Sequence, residues 1–121
     1  MFLLDSNIIV YSYLSQYEYL RELLTSELVY VSEISRLEVL VYHKLTNDEE
    51  TYFKDIFNLV PIIFPSQEIF DTAIDIRKVY NLKLGDSLIA ATALEKKLSI
   101  YTRNLSDFGK VKSVSCIDPL R

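Results

Sequence analysis

An α/β fold with a mostly parallel sheet is predicted by three features of this sequence. Short apolar runs alternate with longer stretches of helical periodicity, no Asn-Gly or similar hairpin turn joins successive runs, and polar clusters follow the apolar runs. With 121 residues, half of them hydrophobic, the chain is read as a single domain over residues 1–121 that can bury a core without staples.

Met1 to Leu4 is a short apolar run ending on an acid, the form of a buried parallel strand whose carboxyl end carries functional residues. Comparable runs recur at Leu28 to Val31, Pro61 to Phe64, Ser99 to Thr102 and, more weakly, Val114 to Ile117, which makes five strands. Between them helices are expected at Ile8 to Leu14, Tyr17 to Ser26, Arg36 to Leu45, Asp48 to Leu59, Gln67 to Tyr80 and Ser87 to Lys97. The stretch from Gln67 to Tyr80 is the clearest. Ile69, Phe70, Ala73, Ile76, Val79 and Tyr80 fall near helical spacing, and Asp71, Asp75 and Lys78 are left for the opposite face. Only two glycines and three prolines punctuate the chain, and no repeat or linker interrupts it.

The single cysteine, Cys116, rules out an internal disulfide framework, and no Cys/His cluster with zinc-ligand spacing is present. A reducing, cytoplasmic setting is expected, with no membrane partner and no processing, because the apolar runs are short and the start, MFLLDSN, lacks a cationic, cleavable leader. The net charge of −4, from 13 basic and 17 acidic residues, speaks against a surface built throughout to attract phosphates. Divalent cations held by converging carboxylates would invert that field locally.

Ligands of open α/β sheets bind outside the carboxyl ends of the strands. Four polar clusters are expected there: Asp5-Ser6-Asn7, Ser35-Arg36-Leu37-Glu38, Gly85-Asp86-Ser87 and the run from Thr102 to Asp107. Each also has a structural explanation. Ser35-x-x-Glu38 fits a capping box, Asp86 can cap the last long helix, and Asp107 before Phe108-Gly109 suits a turn. Asp5 can cap the first helix, but a carboxylate ending an apolar strand is partly buried and needs a partner, and no Lys or Arg precedes Arg21. If strands one, two and four are neighbours, Asp5, Glu38, Asp86 and Asp107 converge, and four such acids cannot all stay ionised without cations. Oxygen-only ligands favour Mg²⁺ or Mn²⁺ over zinc, and phosphodiester hydrolysis is the matching chemistry.

The order of these motifs resembles that of the PIN-domain ribonucleases, particularly VapC-type toxins, over essentially the whole chain. The elements that carry the resemblance are LLDSNIIVY, VSEISRLEVL, LKLGDSLIAATALEKKLSIYTRN and LSDFGKV, of which the third is the most specific. Matched by position, Asp5, Glu38 and Asp86 are the family's three core acids. Asp107 best matches the more variable fourth, with Asn104 as a second candidate. Ser6, Thr102 and Asn104 resemble the supporting polar residues. The resemblance implies an α/β/α sandwich around a five-stranded, mostly parallel sheet, homodimerisation, and inhibition by a cognate antitoxin.

The expected mechanism has Asp5, Asp86 and Asp107 holding Mg²⁺ or Mn²⁺, directly or through water, while Glu38 orients or deprotonates the attacking water or helps a second ion. No side-chain nucleophile is required, which suits a chain whose only histidine, His43, is given no role. RNA contacts are expected from Arg36, Lys83 and Arg103, with Lys110 and Lys112 further out. Two other enzyme classes lose a residue they need. A phosphoacceptor domain requires an aspartate after the third strand, which reads Pro61-Ile62-Ile63-Phe64-Pro65, and a haloacid-dehalogenase-type phosphatase requires a second acid where Asn7 stands. A non-catalytic PIN-like interaction module is the alternative from outside enzymology, and metal binding discriminates between the two.

Overall fold

The computed structural model describes residues 1–26 and 28–120. Its elements run β1 (Phe2–Leu4), α1 (Ser6–Ser12), a 3-10 turn (Ser15–Tyr17), α2 (Leu20–Leu24), β2 (Val29–Ser32), α3 (Glu33–Leu40) and α4 (Asn47–Leu59). They continue with β3 (Ile62–Ile63), α5 (Gln67–Val79), α6 (Leu84–Lys96), β4 (Ser99–Tyr101), α7 (Leu105–Phe108) and β5 (Cys116–Ile117). The five strands form one all-parallel sheet in the order β3-β2-β1-β4-β5. Strands one, two and four are therefore neighbours, with Leu4 level with Val31 on one side and Tyr101 on the other.

Two apolar clusters cover the two faces of the sheet. Leu3 and Ile100 join Ile69, Ile76, Leu88, Ile89 and Phe108 from α5, α6 and α7, while Leu4, Val29 and Val31 join Ile8, Ile9, Leu20, Val39, Phe53 and Phe57 from α1 to α4. The split follows from strand geometry, because successive residues such as Leu3 and Leu4 point to opposite faces. Parallel strands covered on both sides give the continuous apolar runs of the sequence, and the result is an α/β/α sandwich. Among the described residues no helix is long and apolar enough to cross a membrane.

The expected helix from Tyr17 to Ser26 is broken into the 3-10 turn and the five-residue α2. Arg21 holds this bend, its Nε and Nη2 donating to the carbonyls of Ser12 and Tyr13 at 2.9 Å each, where α1 ends. The helix expected from Arg36 starts at Glu33 instead, because Ser32 is its cap: Ser32 Oγ accepts from the Ile34 N–H at 3.1 Å. Ser35 is not a cap but a buried residue inside α3, and its hydroxyl has no hydrogen-bond partner among the described residues. Asp86 is not a cap either. It is the third residue of α6, whose N-cap, Lys83, contributes no side-chain bond. Asp107 lies in the short helix α7, where a turn was expected.

Candidate active site

Asp5 follows β1 directly and its backbone N–H donates to the Tyr101 carbonyl at 2.9 Å, continuing the pairing with β4. That register brings Thr102 beside it. The Thr102 hydroxyl donates to Asp5 Oδ2 at 2.8 Å and accepts from the Asn104 N–H at 2.8 Å. The other carboxylate oxygen, Oδ1, accepts from the Ser6 N–H at 2.8 Å, so Asp5 caps α1 as well. Capping and chemistry are compatible here. Asp5 is only 5% exposed and no basic side chain pairs with it, so burial pushes its pKa up against the lowering effect of the Thr102 and Ser6 hydrogen bonds.

Glu38 on α3 and Asp86 on α6 face Asp5 from the neighbouring elements. Burial raises the pKa of Glu38 first and the charges of Asp5 and Asp86 raise it further, with the Ser6 hydroxyl pulling it back. Asp86 is raised by burial, then by Asp5 and Asp107, and is lowered by Lys83. Asp107 behaves in the opposite way: Asn104 Nδ2 donates to its Oδ2 at 2.9 Å, Lys110 Nζ lies 3.3 Å from its Oδ1, and its pKa falls. The two candidates for the fourth acid position thus bond each other.

Across the carboxyl end of the sheet, the charge of Asp5 reaches both Glu38 and Asp86, that of Asp86 reaches Glu38, and that of Asp107 reaches Asp86. Among the described residues, however, no three His, Cys, Asp or Glu side chains are drawn together closely enough to enclose a metal ion. The donor set nevertheless fits a hard divalent cation: it is all oxygen, Asp5 is buried with no basic partner among the described residues, and its charge raises the pKa of both Glu38 and Asp86. An open ring suits Mg²⁺ in particular, which binds through one or two carboxylates and keeps several waters. Beside the acids opens a cleft of about 520 Å³ lined by Ser6, Asn7, Tyr11, Glu38, Tyr42 and Glu49, among others.

The basic residues divide. Lys83 is close enough to Asp86 and Asp107 to lower both pKa values. Arg103 is near the site but engaged, its guanidinium 5.5 Å from the centre of the Tyr11 ring and 3.4 Å from Asp118 Oδ2, and its backbone N–H donates to Asn7 Oδ1 at 3.4 Å. Arg36 is not brought to the acids. It lies about 200° round α3 from Glu38, pairs with Glu33, and lines a depression with Lys54, Phe57 and Phe64. Lys110, expected further out, touches one of the four acids, Asp107, a contact foreshadowed only by their i, i+3 spacing.

The raised acids set a pH dependence. Asp5, Glu38 and Asp86 bind protons more tightly folded than unfolded, so the stability they contribute is fully present below the ordinary carboxylate pKa of about 4 and is lost as pH rises through the raised values. Asp107 and Glu33 are lowered, and what they contribute is lost only as pH falls below that range. Without metal, the melting temperature is expected to decline from about pH 5 towards neutrality, and Asp86→Asn is expected to flatten the decline. A thermal unfolding series across that range checks it, and an Asp86→Asn slope equal to the wild type would refute the assignment.

Comparison with known proteins agrees with this fold. The PIN domain family model matches residues 2–113. A toxin–antitoxin complex from Klebsiella pneumoniae contains a chain 28% identical to this one, with a TM-score of 0.82 over 100% of this chain and 99% of the other. FitAcB from Neisseria gonorrhoeae is 26% identical, with a TM-score of 0.78 over 98% of both chains. DNA-bound VapBC from Salmonella typhimurium shares the fold at 20% identity, with a TM-score of 0.80 over 97% of this chain and 96% of that one. No curated protein sequence matches significantly. With the family model covering nearly all of the chain and the sheet and flanking helices in agreement, this protein belongs to the PIN domain family of nucleases.

Proposed function

We propose that the chain is a metal-dependent ribonuclease, one PIN domain over residues 1–121, acting in the cytoplasm as the toxin of a VapBC-type toxin–antitoxin pair. The observation that supports the reading is the approach of Asp5, Glu38 and Asp86 at the carboxyl end of β1, β2 and β4, where Asp5 raises the pKa of the other two and Asp107 is near enough to raise Asp86. The toxin role draws on the toxin–antitoxin complex from Klebsiella pneumoniae in which a structural relative occurs. A cognate antitoxin and a second copy of the chain are its proposed partners, and RNA its substrate.

Asp5, Asp86 and Asp107 are the residues that would hold Mg²⁺ or Mn²⁺. Such an ion, when bound, lowers the pKa of water and neutralises charge that builds on phosphate oxygens. Glu38, with a raised pKa, is suited to take the proton from the attacking water. Thr102 and Ser6 fix the Asp5 carboxylate through both oxygens, and Asn104 orients Asp107. Lys83 is the best placed of the basic residues to meet a substrate phosphate, whereas Arg103 must first leave Asp118.

The test is RNA cleavage by the purified protein with and without Mg²⁺ or Mn²⁺, alongside Asp86→Asn. Cleavage is expected only with metal and only in the wild type, and millimolar metal is expected to raise the melting temperature. Full activity in Asp86→Asn would sink the scheme. If metal neither stabilises the protein nor supports cleavage, the non-catalytic interaction module takes its place.

A further inference from the structure

Gly85 lies under the Glu38 carboxylate. A Cβ built on Gly85 would stand 2.8 Å from Glu38 Oε2 and 3.4 Å from Glu38 Cδ, inside the distance at which real atoms settle. The backbone itself does not call for glycine here, since Gly85 is the second residue of α6 and neither glycine of the chain has a positive φ. What the position uses is the missing volume. The first turn of α6 also has free N–H groups, because Lys83 gives no side-chain cap, and the positive end of this 13-residue helix favours a carboxylate beside it.

We propose that Gly85 is a positioning residue for Glu38: with no side chain at this point, the Glu38 carboxylate rests against the first turn of α6 next to Asp86. The effect on cleavage rests on the ribonuclease reading above, whereas the placement of Glu38 rests on geometry alone. The atoms that a Cβ would meet are at the end of a flexible side chain, so Glu38 gives way and the helix does not. Alanine is also the better helix former. Stability and activity should therefore part company at this residue.

The Gly85→Ala protein is expected to melt at the wild-type temperature or above it. Its kcat for RNA cleavage with Mn²⁺ should fall about a hundred-fold, the scale on which a displacement of about 1 Å acts, with KM little changed. Glu38→Asp, which shortens the acid, should lower kcat in the wild type but raise it at least about ten-fold in the Gly85→Ala background, a coupling that two independent losses do not show. A crystal structure of Gly85→Ala should show the Glu38 carboxylate moved off α6. Wild-type kcat in Gly85→Ala, additive losses in the double variant, or an unmoved Glu38 would each overturn the proposal. If the wild type cleaves no RNA with either metal, the ribonuclease reading fails, and the position of Glu38 in the Gly85→Ala crystal still decides the role of Gly85.

Discussion

Asp5→Asn is expected to reduce metal-dependent RNA cleavage by about a thousand-fold or more while leaving the protein folded. That factor corresponds to the loss of roughly 4 kcal/mol of transition-state stabilisation, in the range that a bound cation supplies. The fold survives because asparagine can keep the local hydrogen bonds. Its amide oxygen accepts from the Ser6 N–H as Oδ1 does, and its NH₂ can donate to the Thr102 hydroxyl, which now accepts. Removing a buried, unpaired negative charge also relieves repulsion on Glu38 and Asp86, so the metal-free melting temperature at neutral pH should hold or rise. Single-turnover cleavage and thermal unfolding on the same preparation separate the two effects. An Asp5→Asn protein that cleaves like the wild type with metal would rule out the assigned role, and one that does not fold would show the residue to be chiefly structural.

Phe108→Ala should produce the largest loss of stability. Phe108 is fully buried and belongs to the apolar cluster with Leu3, Ile89, Ile100 and Val111. Truncating such a side chain costs about 3–5 kcal/mol, a fall in melting temperature of roughly 10–20 °C for a chain of this size. The loss reaches the site because α7 has only four residues and cannot persist without its anchor. Asp107 lies in α7 and Asn104 begins it, so cleavage measured well below the new melting temperature should fall too. Phe108→Leu should recover most of both. A Phe108→Ala protein that melts within a few degrees of the wild type would contradict the packing described for α7.

The long helices α4, α5 and α6 were legible within a few residues, because each carries an apolar pattern over three turns. The short segments were not. Ser35-x-x-Glu38 has capping-box spacing and Ser32-x-x-Ser35 does not, so the local pattern points to Ser35. Burial chose otherwise: Ser35 packs inside the fold, so the helix starts one turn earlier. Likewise α2 is set by Arg21 folding back onto the end of α1, and α7 by Phe108, both contacts outside any local window.

By itself the sequence determined the alternation of strands and helices, the parallel sheet that follows from it, and the identity of the acids at the strand ends. These are encoded by periodicity and by residue type at element termini, which act over a few positions. Only the tertiary structure decided what each acid meets. Thr102 reaches Asp5 across 97 residues because β1 pairs with β4, Lys110 holds Asp107 through the turn of α7, and Arg36, on the opposite side of α3 from Glu38, pairs with Glu33. The same holds for Glu38 over Gly85, where a missing side chain on one helix makes room for a carboxylate from another. Such contacts depend on sheet register and helix rotation, which are fixed when the two apolar clusters pack against the sheet and not before.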